Sequence, residues 1–182
     1  MSIDFGETQL SNGPVAFAMS IVLSEGPLAL GWQHASATCE FLGDVFATRH
    51  ARNGQDYDEA RHSIIYLVNE LLENAIKFRS PGDIEVRCSL EDGNFEMVVK
   101  NRANPGVASR FQSILAEVTA RDPGELLIER IEANAADESS SASGLGILTL
   151  MNDYGAKLGW TFHEAPEEGA ISLSTHASLK LN

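Results

Sequence analysis

Residues 66–79, YLVNELLENAIKFR, place Glu70, Asn74 and Lys77 four and then three residues apart. On a helix of 3.6 residues per turn, side chains at those intervals stand above one another. A carboxylate, a carboxamide and an ammonium would then face one small volume. Ile64, Val68, Leu71, Leu72 and Ala75 form an apolar stripe on another side, suited to holding the helix on a core. The same spacing also describes the solvated side of an ordinary amphipathic helix. A second group, Ser143-Gly144-Leu145-Gly146, follows the small polar run ADESSSAS and opens a short apolar pattern, ILTLMNDYG. Glycines there let the backbone approach a ligand closely, and the free amides of a first helical turn favour an anion such as phosphate. A tight connection before a helix would use the same residues. No Gly-Lys-Ser/Thr follows, which excludes a Walker A loop, and Thr149 stands where the dinucleotide fingerprint needs its third glycine.

The elements that must position these residues are legible as alternating patterns. A polar start ends in the turn signal Asn12-Gly13-Pro14, after which VAFAMSIVL reads as a strand broken by Glu25-Gly26-Pro27. Phe41, Leu42, Val45 and Phe46 recur at helical spacing over residues 35–49, and Asn53-Gly54 closes that segment. Asp56 is placed to cap the long helix that carries Glu70, which ends at Ser80-Pro81-Gly82. IEVRCSL and FEMVVKN, joined by Glu91-Asp92-Gly93-Asn94, predict a hairpin. Two helical patterns follow, with Phe111, Ile114, Leu115 and Val118 in one and Leu126, Leu127, Ile128 and Ile131 in the other, separated by Asp122-Pro123-Gly124. Residues 136–143 are expected to be a mobile loop. KLGWTFHE and AISLSTHASLKL close the chain as strands on either side of a turn at residues 165–169. No internal repeat is apparent, so a solenoid or propeller is not expected. The expected fold is an α/β (α+β) two-layer sandwich, a mixed and largely antiparallel sheet covered on one face by helices.

With 182 residues the chain is expected to form one domain, residues 1–182. An apolar fraction of 43% fits a folded rather than a disordered chain. A formal charge of −13 argues against nucleic acid or an anionic membrane as partner and for a protein or small ligand. An anionic ligand would need a metal ion or a helix N-terminus to supply local positive charge. Cys39 and Cys88 are isolated, with no CxxC pair, so neither a disulfide framework nor a structural metal site is expected. The acidic start has no basic leader region, and the apolar run at residues 15–23 is too short to span a bilayer, which gives a soluble, cytoplasmic expectation.

Glu70-Leu-Leu-Glu-Asn74-Ala75-Ile-Lys77-Phe78 resembles the N-box of the GHKL ATPases, the superfamily of gyrase, heat-shock chaperone, histidine kinase and MutL. Ser143-Gly144-Leu145-Gly146-Ile147 resembles their glycine-rich lid box. The resemblance covers residues 56–182, with residues 1–55 an N-terminal strand-and-helix extension. It implies a Bergerat-type fold binding ATP or ADP with Mg²⁺ between the N-box helix and a mobile lid. On that resemblance Asn74 would ligate Mg²⁺, Lys77 would approach the phosphates, Ser143, Gly144, Leu145 and Gly146 would cradle them, and Glu70 would be the general base. Such a glutamate is similar to that of the family's hydrolases and anti-sigma-factor serine kinases. The family's Asp-x-Gly-x-Gly adenine box is altered: Asn101 stands for the aspartate, Ala103 and Pro105 replace glycines, and Gly106 remains. That departure and the general organisation resemble the SiaB-type regulatory kinases.

The function so implied is transfer of phosphate from Mg-ATP to a serine or threonine of a small regulatory protein, a STAS-like or SiaC-like phospho-acceptor, in a partner-switching circuit. A homodimer is compatible with it. The alternatives are an inactive nucleotide-dependent binding module of the same fold, and a degenerate fold used for protein contacts alone.

Overall fold

A computed structural model describes residues 2–9, 17–24, 32–51, 54–136, 144–164 and 169–181. Along these the order is β1 (Ser2–Gly6), β2 (Phe17–Leu23), α1 (Trp32–His50), α2 (Gly54–Phe78), β3 (Ile84–Glu91), β4 (Asn94–Ala103), α3 (Pro105–Val118), α4 (Pro123–Ala136), α5 (Leu145–Asn152), β5 (Lys157–Glu164) and β6 (Ile171–Lys180). The strands form one six-stranded sheet in the order β1-β5-β6-β4-β3-β2. Every pairing among them is antiparallel, so the expected mixture resolves to an antiparallel sheet. The turn signals expected at residues 12–14 and 25–27, the loop at 137–143 and residues 165–168 of the last turn lie outside the described residues.

The hairpin β3–β4 sets the centre of the sheet. Glu91 pairs with Asn94, leaving Asp92 and Gly93 as a two-residue turn with φ of 47° and 72°. Positive φ at both positions matches the twist of the flanking strands, and glycine tolerates it without a Cβ penalty. Along β3, Ile84, Val86, Cys88 and Leu90 are buried while Glu85 and Arg87 are exposed. This period of two turns one face to the helices and leaves the other polar. Phe46 of α1 packs edge-on between Phe17 of β2 and Phe95 of β4, with ring centroids at 5.1 and 5.0 Å. The core therefore runs from one edge strand across the middle of the sheet.

The polar start of the chain supplies a strand that its composition does not announce. β1 pairs with β5, Ser2 opposite His163 through Gly6 opposite Gly159, and so forms the edge opposite β2. A five-residue strand is defined by its distant partner more than by its own propensity. Within α1, Ala35, Cys39, Leu42 and Phe46 face inward, whereas Phe41 is 50% exposed. The helical spacing is as expected, but Phe41 falls outside the buried stripe. Helix α2 begins at Gly54, which puts Asp56 in its first turn, where its charge favours the helix dipole. Arg61 ties α2 to α1 by pairing with Glu40 and, at 2.6 Å, with Asp44, which also accepts from Tyr57 Oη at 2.9 Å.

The two helices after the hairpin begin on local signals. Asn104 caps α3 by accepting from the Gly106 amide at 2.8 Å, with Pro105 in the first turn. Asp122 does the same for α4, its carboxylate accepting from the Glu125 amide at 3.0 Å ahead of Pro123. The Asp-Pro-Gly segment that separates the helices is thus also the start of the second.

Candidate functional site

Helix α2 is the platform. Its Ile64, Leu67, Val68, Leu71, Leu72 and Ala75 are buried in the core, and this fixes the rotation of the helix and the direction of its other faces. Glu70 is half-buried and lies against the first turn of α5. A Cβ added at Gly146 would come 1.7 Å from Glu70 Oε2 and 2.3 Å from its Cδ. A residue without a side chain lets the Glu70 carboxyl lie on the α5 backbone in this rotamer. Burial raises the Glu70 carboxyl above its ordinary value, and the neighbouring Glu73 charge adds to the shift. A carboxylate in this state holds a proton more readily than an exposed one.

One turn along, Asn74 lines a pocket with Phe78 of α2, Asn101 of β4, Phe111 of α3, Ile147 of α5 and Trp160 of β5. The walls are largely apolar, and Phe78, Phe111 and Trp160 are their aromatic part. Phe111 stacks on Phe78 at 6.4 Å and meets Trp160 edge-on at 6.2 Å. The cavity is about 20 Å³, room for about one water. A flat heteroaromatic ring could enter between Phe111 and Trp160 only if those side chains part.

Asn101 is 4% exposed. Its Nδ2 donates to the carbonyl of Arg102 at 3.1 Å. A carbonyl only accepts, so the amide orientation is fixed chemically, and Oδ1 is the atom left to accept from a ligand N–H. In this respect the buried amide can do what an aspartate would do toward an amino group, without the charge.

The structure therefore brings Asn74 and Asn101 to one cavity, while Glu70 and Gly146, each neighbouring a lining residue in sequence or one helical turn away, contact each other beside it. Gly144 caps α5 with φ of 91°, a left-handed conformation suited to glycine, and Leu145, half-buried, is the first helical residue. Two expected residues stand apart. Lys77 is exposed, with Nζ 5.0 Å from the centroid of the Phe78 ring, and does not line the pocket. Its ammonium lies over the face of that ring, a cation–π placement at the exposed end of the helix. Gly106 is spent on the start of α3, where its amide bonds Asn104. Ser143 lies outside the described residues.

Residues that sequence reasoning missed complete the surroundings. Arg130 of α4 reaches the glycine turn, where a Cβ on Gly144 would meet its Nη1 at 2.5 Å. No spacing in the sequence relates residue 130 to residue 144; the packing of α4 on α5 does. Tyr154, just past α5, stacks on Tyr66 of α2 at 4.8 Å, and its hydroxyl lies 3.2 Å from His62 Nε2. These rings fasten the far end of α5 to α2, and they show His62 at the surface of α2 as a fastening residue.

The donor set fits Mg²⁺ held jointly with a ligand. Asn74 offers one carboxamide oxygen, and Mg²⁺ commonly takes one or two protein oxygens together with phosphates and water. Among the described residues no group of three or more His, Cys, Asp or Glu side chains forms a protein-only cage.

No family model matches the chain, and no curated protein matches it. Among solved structures, a chain of the SiaB-SiaC complex from Pseudomonas aeruginosa matches with a TM-score of 0.59 and 13% sequence identity, over 91% of this chain and 91% of that one. The likeness is one of fold, and the chain has a SiaB-like α+β fold. No helix among the described residues is long and apolar enough to cross a membrane.

Proposed function

We propose that this chain is a GHKL-type regulatory kinase that transfers phosphate from Mg-ATP to a serine or threonine of a small partner protein in a partner-switching circuit. The observation that supports it most is the arrangement on α2. A half-buried carboxylate, Glu70, lies against a glycine turn at the start of α5, and a carboxamide one turn further on, Asn74, lines an apolar pocket that also contains the buried acceptor Asn101. A nucleoside triphosphate has the matching parts in the same order: a flat base with an exocyclic amine, then phosphates that need an electropositive turn.

In this reading the partner's hydroxyl oxygen bonds to the γ-phosphorus as the bond to the β–γ bridging oxygen breaks, and ADP departs. Glu70 receives the hydroxyl proton, a role its raised pKa favours. Asn74 would hold Mg²⁺, which when bound neutralises charge on the phosphates. Asn101 would orient the base by accepting from its amino group. The wall of Phe111 and Trp160 would exclude water from the base. The solved structure that shares the fold comes from a two-protein complex, which supports seeking the acceptor among small proteins of SiaC or STAS type.

The test is transfer of labelled phosphate from ATP to a co-purified partner, with wild type and Glu70→Ala compared. Loss of transfer by about a hundredfold or more in the variant, with nucleotide binding retained, supports the assignment. Equal transfer by the two overturns Glu70 as the base.

One observation favours a second reading, a nucleotide-dependent binding module without catalysis. The cavity has room for about one water and Lys77 faces away from it. Tight binding of ADP with no turnover in the presence of the partner would select that reading.

A further inference from the structure

We propose that Arg130 is the phosphate-binding cation of this site, held at the glycine turn by Glu117. The inference deepens the nucleotide reading above and rests on it. Gly144 is the left-handed residue at which the chain turns into α5. Apart from the chain neighbours of Gly144, the guanidinium of Arg130 is the only group among the described residues within 4 Å of the position a Cβ would take there. Its other terminal nitrogen, Nη2, donates to Glu117 Oε2 of α3 at 3.1 Å, and the side chain is 20% exposed. One arm of the fork is thus anchored and the other lies on the turn.

The anchor is itself braced. Glu117 also meets Arg121 at 3.5 Å, and Arg121 pairs with Glu129 of α4 through both terminal nitrogens, at 2.8 and 2.5 Å. These contacts fix α4 against α3 and with it the root of Arg130. A planar guanidinium with one edge committed to a carboxylate can still offer its other edge to a phosphate oxygen, in the geometry for which arginine is suited.

Charge supplies the second strand of support. The chain carries −13, and the Glu70 carboxylate sits against Gly146, two residues from Gly144. A polyphosphate entering there needs a fixed positive charge, and Lys77 lies over Phe78 outside the pocket. Arginine stays charged at every working pH, so the cation does not vary with the protonation of Glu70.

A merely structural Arg130, bracing the turn, would affect every ligand alike. The experiment therefore measures binding of adenosine, ADP and Mg-ATP to the full chain by calorimetry, for wild type, Arg130→Ala, Arg130→Lys and, as a charge control on the opposite face of the sheet, Arg87→Ala. The expected result is a loss of about tenfold or more in Mg-ATP affinity for Arg130→Ala, with adenosine affinity unchanged. Arg130→Lys falls between the two, and Arg87→Ala follows wild type. A parallel loss for all three ligands, or an unchanged ratio of ATP to adenosine affinity, overturns the assignment and makes Arg130 a brace. If wild type binds none of the ligands, the nucleotide reading fails first and the role of Arg130 falls with it.

Discussion

Gly146→Ala should separate the geometry of the base from the stability of the fold. Inside an ordinary helix, alanine gains about 1 kcal/mol over glycine. Here the new methyl would lie 1.7 Å from Glu70 Oε2, 2.3 Å from Cδ and 3.1 Å from Oε1. These atoms are the far end of a flexible side chain, so Glu70 yields by changing rotamer at a cost of about 0.5–1.5 kcal/mol. The two terms nearly cancel, and the folded state should change by less than about 1 kcal/mol. Function should not survive so well, because a general base moved off its proton forfeits about 10²–10⁴ in rate. Urea unfolding and phosphate transfer on the same samples would show near-normal stability with transfer lost. In the Glu70→Ala background the clash is gone, and Gly146→Ala should then stabilise by about 1 kcal/mol, an interaction visible in the double-mutant cycle. A loss above 2 kcal/mol from Gly146→Ala in both backgrounds would show that the backbone, not Glu70, sets the need for glycine, and normal transfer would refute the placement of the base.

Three further outcomes follow from particular groups. Burial holds the Glu70 carboxyl above its ordinary value, so its ionised form opposes folding above the raised pKa and the penalty disappears as pH falls through it. Glu70→Gln should therefore be more stable than wild type at pH 7, with the gap closing toward acid in urea titrations; an equal gap at both pH values would contradict the shift. Asn101→Asp keeps the acceptor but loses the donor to the Arg102 carbonyl, so adenosine affinity should stay within about threefold while stability falls by about 1 kcal/mol, whereas Asn101→Leu should lose adenosine by about tenfold or more. Burial pushes the thiols of Cys39 and Cys88 up to about 12, so neither should react with an aromatic disulfide reagent at pH 8 until urea unfolds the chain, when two thiols per chain appear.

The elements with a strong local signature were legible in the sequence. The stripe from Ile64 to Ala75 set α2, Asp92-Gly93 set the central hairpin, and the apolar spacings on either side of Asp122-Pro123-Gly124 set α3 and α4, because each signal acts within a few residues of itself. β1 was passed over: Ile3 and Phe5 alternate with Ser2 and Asp4, but five residues carry too short a signal on their own, and the strand is set by pairing with residues 159–163. The site divides on the same principle. Glu70 and Asn74 share one helix, so their spacing foretold their common side, and Asn101 could be placed by counting along the hairpin. The direction of Lys77 depended on a flexible side chain choosing the Phe78 ring. Arg130 depended on how α4 leans on α5, which no interval in the chain encodes.

The contact of Glu70 with Gly146 also joins two functions that the sequence presented as separate motifs. The expected base touches the turn expected to cradle phosphate, so displacement of the first turn of α5 must alter the space in which the carboxylate sits. At its far end α5 is fastened to α2 by the Tyr66–Tyr154 stack and the His62–Tyr154 bond. The opposite, glycine end of α5 is the one that bears on Glu70 and Arg130. Removing the stack with Tyr154→Ala should release the far end as well. Hydrogen exchange should then accelerate along all of α5 rather than at its first turn alone, while equal exchange in wild type and variant would show that the rings do not hold the helix.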